Sequence, residues 1–310
     1  MNRKGISVRN LLALLLLPVM LVVAGCTRHQ KEARFQVVTS IMPLKYFAER
    51  IGGRHVSVSV MVPPGGDPHS YEPAPKQMVK LSKALLFIKA GSGIEFELDW
   101  MPRFLSLNPG LLVCDASRGV KLIPLQDGDD RAEEHHDHEE ASEHHHHGGL
   151  DPHYWLSASN GMVIARNTAV ALETIDPEHK AEYAANAEKL ISELASLDSE
   201  MKKKIAAAKQ KKFLVFHPAW GYYARDYGLE QIAVEAEGKT LTPRQMQHVI
   251  DTARQNRIRA VFISPQFNSA QADAIASAIG GYTLAVDPLA EDYPGNIRQT
   301  TDLFLKTGNE

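Results

Sequence analysis

Short runs of β-branched and other apolar residues recur along the chain, and segments with helical periodicity separate them. Eight of these runs predict strands: Phe35–Ser40, Val56–Val62, Ala84–Ala90, Leu111–Asp115, Phe213–Phe216, Gln231–Val234, Ala260–Ser264 and Tyr282–Val286. Strands that alternate with helices are typical of βαβ units and of mainly parallel sheets. Four strands precede residue 150 and four follow residue 210. The pattern therefore predicts an α/β protein of two lobes, each a mainly parallel sheet flanked by helices.

The longest periodic segment lies between the two groups of strands. It begins near Asp176-Pro177, and its apolar residues then recur at steps of four and three: Tyr183, Ala187, Leu190, Leu194, Leu197 and Met201. This spacing places one apolar stripe along a helix. Because the segment lacks internal Gly and Pro, we expect one long rigid helix that joins the lobes. A coiled-coil dimer is the competing interpretation, but there are fewer than four clean heptads, and we expect a monomer.

The N-terminus has the pattern of a secretory signal. Positive residues (Arg3, Lys4 and Arg9) precede the apolar run Leu11 to Ala24, which is too short for a convincing membrane span. The segment Leu21-Val22-Val23-Ala24-Gly25-Cys26 resembles a bacterial lipoprotein cleavage box. We therefore predict a lipoprotein signal peptide at 1–25 and a lipidated Cys26, which would anchor the protein outside the cytoplasm to a bacterial membrane. The alternative is an ordinary signal peptide cut nearby, with Cys26 incidental.

The remaining chain is divided by the same patterns. We predict an anchor tether at 26–34, an N-terminal α/β lobe at 35–157, a helical linker with the long helix at 158–210 and a C-terminal α/β lobe at 211–310. Cys114 follows an apolar run and is predicted to be a buried thiol.

Charge is concentrated in one loop of the first lobe. The formal net charge is −3, but residues 126–149 hold nine acids against Arg131 alone. The rest of the mature chain is close to neutral, which argues against a nucleic-acid partner. The same loop holds seven of the 14 histidines: His135, His136, His138, His144, His145, His146 and His147. Imidazoles among carboxylates predict an accessory, low-affinity metal-collecting loop, while a plain linker is the simpler alternative.

Three other histidines lie in turns that contain proline. His69 and His153 each follow Asp-Pro, and His217 precedes Pro218 at the end of a predicted strand. Asp287 directly follows the last predicted strand. In open α/β sheets, ligands bind beyond the carboxyl ends of the strands. We therefore expect His69, His153, His217 and Asp287 to converge on the cleft between the lobes as a metal site.

Several motifs, in this order, resemble those of one protein family. They are Thr39-Ser40-Ile41-Met42-Pro43-Leu44, Pro64-Gly65-Gly66-Asp67-Pro68-His69-Ser70-Tyr71-Glu72-Pro73, Asp151-Pro152-His153-Tyr154-Trp155-Leu156, Asp176-Pro177-Glu178-His179, Phe216-His217-Pro218-Ala219-Trp220-Gly221-Tyr222-Tyr223 and Asp287-Pro288-Leu289. Together they resemble the zinc-binding, solute-capturing lipoproteins of bacterial ABC metal importers, the cluster A-I class, over essentially all of the mature chain.

The resemblance implies two α/β lobes joined by a long helix, with metal held in the cleft by the residues at positions His69, His153, His217 and Asp287. It also implies delivery of the metal to a membrane permease driven by an ATPase. Two features depart from the family's pattern: Pro218 follows the third histidine, and the cysteine pair that is common in the C-terminal lobe of enteric zinc members is absent.

The residues favour zinc as the bound ion. Three imidazoles and one carboxylate suit tetrahedral zinc, whereas manganese favours more oxygen ligands. The alternatives are a manganese or other divalent-metal binding protein or adhesin of the same family, and a secreted zinc hydrolase. The hydrolase is disfavoured because there is no His-Glu-x-x-His motif, and only Glu72 and Glu237 are candidate general bases. We therefore expect a binding protein and not an enzyme.

Overall fold

The computed structural model describes residues 34–125, 149–235 and 241–308. The predicted signal peptide, Cys26, the seven loop histidines and Glu237 lie outside these ranges. Within them, no helix combines the length and apolar character that crossing a bilayer would require.

The first lobe is built on a four-stranded parallel sheet. Its strands are β1 (Phe35–Thr39), β2 (Val56–Val60), β3 (Leu86–Lys89) and β4 (Leu112–Asp115), in the order β2-β1-β3-β4. Three helices follow its strands: α1 (Met42–Gly52), α2 (Pro75–Leu81) and α3 (Glu95–Leu107). Because all four strands are parallel, their carboxyl ends meet at one edge, where the loop after β2 carries His69.

The second lobe repeats this arrangement. Strands β5 (Lys212–Val215), β6 (Glu230–Ala233), β7 (Ala260–Ile263) and β8 (Tyr282–Ala285) form a parallel sheet in the order β6-β5-β7-β8. Between and after them lie α6 (Gly221–Tyr227), α7 (Pro243–Gln255), α8 (Ala270–Ala278) and α9 (Tyr293–Thr307). All eight predicted strands are present, with ends within two residues of those expected, and the α/β prediction is confirmed.

Two helices connect the sheets. They are α4 (Ala158–Ile175) and the long helix α5 (Lys180–Ala206). All six residues of the predicted stripe, Tyr183 to Met201, are buried, together with Ile205. The stripe packs against α1 and α4 of the first lobe and against α6 and α9 of the second. At 27 residues, α5 is about 40 Å long.

The main hydrophobic core is continuous between the two sheets. It includes Val37 and Phe87 of the first sheet, Leu194 of α5, and Val215 and Phe262 of the second sheet. Polar contacts also cross the cleft. Trp155 Nε1 donates to the Pro288 carbonyl at 2.8 Å, and Tyr293 donates to the Ser157 carbonyl at 2.8 Å. The domain limits at 157, 158 and 210 stay a prediction.

Candidate metal centre

Three of the four predicted ligands meet at the facing edges of the two sheets. His69 lies in the loop after β2, and His153 precedes a short 3₁₀ turn, Tyr154–Leu156, that leads into α4. His217 follows β5. One ring nitrogen of each histidine lies within 4.8 Å of those of the other two. The fold thus brings together imidazoles from separate elements of both lobes.

The Nε2 atoms of His153 and His217 are spaced almost as two ligands of one metal ion would be. Nε2 of His217 lies 3.2 Å from Nε2 of His153. Two ligands of a tetrahedral zinc ion, each at ~2.05 Å from the metal, lie about 3.4 Å apart. Nε2 of His69 is buried and has no hydrogen-bond partner among the described residues. A buried nitrogen without a partner is costly, and a metal ion at this position would satisfy it.

In each of these three histidines, the second ring nitrogen, Nδ1, contacts a carboxylate. Nδ1 of His69 lies 2.8 Å from Glu95, that of His153 lies 2.9 Å from Asp151, and that of His217 lies 2.5 Å from Glu235. A carboxylate acceptor places the proton on Nδ1 and leaves the Nε2 lone pair directed into the cluster. Such outer partners orient metal-binding histidines and increase their basicity.

The two Asp-Pro-His sequences differ in how the aspartate acts. Asp151 accepts hydrogen bonds from both the backbone N–H and Nδ1 of His153. Asp67 accepts only from the backbone N–H of His69, while its second oxygen accepts from Ser70. The ring of His69 is held instead by Glu95, the first residue of α3. The two histidines therefore share a local sequence, but the carboxylate that contacts the ring is Asp151 for His153 and Glu95 for His69.

The packing around Asp151 leaves no spare room. An added Cβ at Gly221, the first residue of α6, would lie 2.6 Å from Asp151 Oδ2. The Asp151 carbonyl also accepts a hydrogen bond from Tyr222 at 2.8 Å. The second lobe thus fixes the carboxylate that orients the histidine of the first lobe.

Burial and hydrogen bonds to carboxylates shift the pKa values of His217 and His69 in opposite directions. Burial lowers the pKa of His217 to about 4, because the hydrogen bond that Nδ1 donates to Glu235, which acts to raise the pKa, is the smaller effect. For His69, burial also acts to lower the pKa, but the hydrogen bond and charge of Glu95 outweigh it, and the pKa is raised. At neutral pH, His217 is therefore a neutral imidazole that can donate a lone pair to a metal.

Asp287 is close to the cluster but lies outside the group of three. Its Oδ1 accepts hydrogen bonds from Gln266 Nε2 at 2.7 Å and from the Leu289 N–H at 2.8 Å. Gln266 and Leu289 line the same small cavity as the histidines. The lining residues are Pro68, His69, His153, Trp155, His217, Gln266, Phe267, Pro288 and Leu289. The ring of Phe267 covers one side, with its centroid 4.6 Å from that of His217.

Sequence reasoning missed several of these residues. Glu235 follows β6 just as His217 follows β5, so the strand-end argument could have found it. Glu95 and Phe267 gave no comparable signal, because only the fold brings them to the histidines. Glu72 is exposed, and the carboxylates nearest to the histidines are already engaged with ring nitrogens.

The fold and the histidine cluster together define a two-lobed α/β protein of a class that binds divalent metals. The family model described as "Zinc-uptake complex component A periplasmic" matches residues 37–306, and the chain belongs to this family. Its members are the metal-binding periplasmic components of ABC-type metal uptake systems, and they are substrate-binding proteins rather than enzymes.

Individual relatives differ in the metal for which they are named. The chain is similar to the high-affinity zinc uptake system protein ZnuA of Bacillus subtilis, with 29% identity over 87% of this chain and 85% of the relative. It is also similar to the iron-binding protein YfeA of Yersinia pestis, with 26% identity over 88% of this chain and 86% of the relative. A crystal structure of a ZnuA deletion mutant with zinc bound superposes with a TM-score of 0.78 at 34% identity. That match covers 89% of this chain and 98% of the other.

Proposed function

We propose that the protein captures zinc outside the cytoplasm and delivers it to an ABC-type permease and its ATPase. The observation that carries this proposal is the convergence of three Nε2 atoms whose rings are each held at Nδ1 by a carboxylate. Three such imidazoles form a nitrogen-rich site on a rigid frame. This is the coordination that zinc favours.

The donor set also favours zinc over manganese. Manganese sites are rich in carboxylate and water oxygens, whereas the three histidines here supply three nitrogens before any oxygen is counted. The zinc uptake protein of Bacillus subtilis and the zinc-bound ZnuA structure support zinc, and the iron-binding relative is the reason to test it directly. Copper could bind such a site at least as tightly, so selectivity against it depends on availability and geometry.

Asp287 is proposed as the fourth ligand. It follows β8 at the same edge of the second sheet as His217, and Pro288 and Leu289 beside it line the cavity. The two hydrogen bonds to its Oδ1 fix the carboxylate, so that Oδ2 remains to meet a metal. A carboxylate would also offset part of the ion's charge in this buried place.

The histidine-rich loop is proposed as an accessory, low-affinity collector of metal. His135, His136, His138, His144, His145, His146 and His147 lie outside the described residues, but the two ends of the loop are described. Leu125 N–H donates to the Gly149 carbonyl at 2.8 Å, and Pro124 pairs with Leu150 in an antiparallel bridge. The loop thus leaves and re-enters the first lobe at one point, close in sequence to His153.

The proposal includes an anchor and a monomeric state. Cys26 would carry the lipid that holds the protein at a bacterial membrane, near the permease. Mass spectrometry of the mature N-terminus tests whether Cys26 carries a lipid. As a second test, Cys26→Ser should give a soluble or unprocessed form.

The second cysteine, Cys114, is buried, and its Sγ lies 3.5 Å from the Asn167 carbonyl oxygen. Cys114→Ser should therefore leave zinc binding almost unchanged.

The ligand assignment is tested by zinc titration of metal-free protein. His69→Ala and His217→Ala should each weaken the tight phase by at least about tenfold, because each removes a ligand. The matched control is His248→Ala, which removes an exposed imidazole of α7. Full-affinity zinc binding in the His69→Ala/His217→Ala double variant would contradict the proposal.

A further inference from the structure

A second group of metal-ligating side chains lies at the outer end of the first lobe. His55 ends a 3₁₀ turn, Gly53–His55, directly before β2. Asp176 and His179 lie at the junction of α4 and α5. One ligand atom of each of the three lies within 4.8 Å of those of the other two. None of these three residues belongs to the proposed metal site in the cleft.

The contacts within this group already pair imidazoles with carboxylates. His179 Nδ1 lies 2.7 Å from Asp176 Oδ2, which also accepts a hydrogen bond from the Tyr183 hydroxyl at 2.5 Å. His55 Nε2 lies 3.0 Å from Glu182 Oε2. The two imidazole rings are stacked, with centroids 3.7 Å apart and planes 29° apart. Two imidazoles and the Asp176 carboxylate therefore lie together, and Glu182 contacts the group through His55.

The charge of the group favours a cation. The side chains of His55 and Asp176 are 2% and 4% exposed, so water screens them poorly. Burial acts to raise the pKa of Asp176, but hydrogen bonds from Tyr183 and His179 outweigh it, and the pKa is lowered, so this residue is a carboxylate. Stacked imidazoles at 3.7 Å would repel each other if both were protonated. Arg54 is a cationic neighbour of the group, with its Nε 3.5 Å from His55 Nε2.

This group is separate from the three-histidine centre. Strand β2 begins immediately after His55, and the loop that carries His69 follows the other end of the strand. Five residues at ~3.3 Å each place the two ends about 16 Å apart. The two groups share no ligand, so one can be occupied without the other.

We propose that His55, Asp176 and His179 hold a second divalent transition-metal ion, with Glu182 supplying a further oxygen. Two nitrogens with carboxylate oxygens suit zinc and its first-row neighbours. The ligand atoms lie within 4.8 Å of one another, and His179 and Asp176 are only 2.7 Å apart, so the side chains must rotate slightly to reach the spacing of about 3.4 Å between ligands of one tetrahedral ion. His179, whose side chain is 31% exposed, is the group that can turn. The second site is therefore weaker than the first, and an ion there ties the turn before β2 to the start of α5.

Diffraction from crystals grown with excess zinc tests this site by itself. Data collected on both sides of the zinc absorption edge should show anomalous density between His55, Asp176 and His179, besides that at the three-histidine centre. Density at the three-histidine centre alone would overturn the second site. Density at the second site alone would instead contradict the proposed function, so the two failures are distinguishable.

A solution measurement checks the same inference without a lattice. Equilibrium dialysis against zinc, with metal analysis, should show that His179→Ala binds one zinc fewer per chain in the weak range, with the tight phase within about twofold of the unsubstituted protein. His248→Ala should lose none, as the matched control for removing an imidazole. A melting curve in chelator verifies that His179→Ala is folded. A folded His179→Ala protein with an unchanged zinc count would overturn the proposal.

Discussion

The Nε2 atoms of His153 and His217 lie 3.2 Å apart, although the two residues are 64 positions apart in the chain and come from different sides of the cleft. Each ring is held at Nδ1 by its own carboxylate, so both Nε2 atoms direct lone pairs at each other. Two lone pairs at this distance are favourable only with a proton or a cation between them. The fold therefore holds two nitrogens where a metal ion needs them, at little further entropic cost on binding.

Loss of the carboxylate partner of His217 should weaken zinc binding while all the imidazoles remain. In Glu235→Gln, the amide cannot accept from Nδ1–H with the strength of a carboxylate, and the preference for an unprotonated Nε2 is lost. We expect zinc affinity to fall by roughly ten- to a hundredfold, measured by competition with a zinc-sensitive dye. Glu193→Gln is the control. Glu193 lies on α5 and forms an exposed ion pair with Arg50, so this variant should bind zinc normally. Unchanged affinity in Glu235→Gln would show that this hydrogen bond does not position the ring.

Substitution of Asp287 tests the proposed fourth ligand. Asp287→Ala should weaken zinc binding at least about tenfold if Oδ2 coordinates the ion. Asp287→Asn keeps a side-chain oxygen that can accept from Gln266 and Leu289 but loses the charge. Its zinc affinity should therefore lie between that of Asp287→Ala and that of the unsubstituted protein. Asp251→Ala, a change at an exposed aspartate of α7, is the control. If Asp287→Ala binds zinc within twofold of the unsubstituted protein, water or another residue completes the site.

The stability of the metal-free protein should fall in mild acid. The pKa of His217 is about 4 in the folded protein and about 6.5 in the unfolded chain, so the unfolded chain binds a proton first as the pH falls. The contribution of His217 to stability is thus complete above about pH 6.5 and is lost as the pH falls towards 4, by on the order of 3 kcal/mol. The raised pKa of His69 acts in the opposite direction and reduces the net slope.

Urea denaturation of metal-free protein between about pH 4 and pH 6.5 measures how the free energy of unfolding depends on pH. His217→Gln removes the titrating ring, so its unfolding free energy should depend less on pH across the same window. An equal slope in both proteins would mean that other groups cause the acid sensitivity. Zinc affinity should also fall below about pH 6.5, because protons compete with the metal for the imidazoles.

Deletion of residues 126–148 should leave the fold and the tight zinc site intact. Leu125 and Gly149 are already hydrogen-bonded to each other, so a short turn can join them without moving His153. The deletion should remove weaker binding events from an isothermal titration and preserve the tight phase. A control that replaces the seven loop histidines by Ser at full length should give the same titration. Loss of the tight phase in either protein would place the primary ligands in the loop.

The strands and the long helix were predictable because their signals are local. Apolar runs bounded by turn residues predicted every strand, and the stripe from Tyr183 to Met201 predicted the buried face of α5. The positions of His69 and His217 followed from one rule, that ligands bind beyond the carboxyl ends of parallel strands, whereas His153 precedes a 3₁₀ turn and follows no strand.

The partners of those histidines were not predictable in the same way. Glu95 lies 26 residues from His69, and its contact depends on how the start of α3 packs against the loop after β2. The two Asp-Pro-His sequences are alike, yet Asp151 contacts its histidine ring and Asp67 does not. The grouping of His55 with Asp176 and His179 depends on tertiary packing in the same manner, since no sequence spacing links the turn before β2 to the start of α5.

Competition among metals tests the central claim most directly. Metal-free protein is dialysed against equal concentrations of zinc, manganese and iron(II) under anaerobic conditions, and the retained metals are then measured. Three imidazole nitrogens at the centre predict about one tightly held zinc per chain, with little manganese or iron, and loss of that zinc in His69→Ala/His217→Ala. Retention of manganese or iron(II) in preference to zinc would contradict the assignment of zinc as the ion that this protein captures.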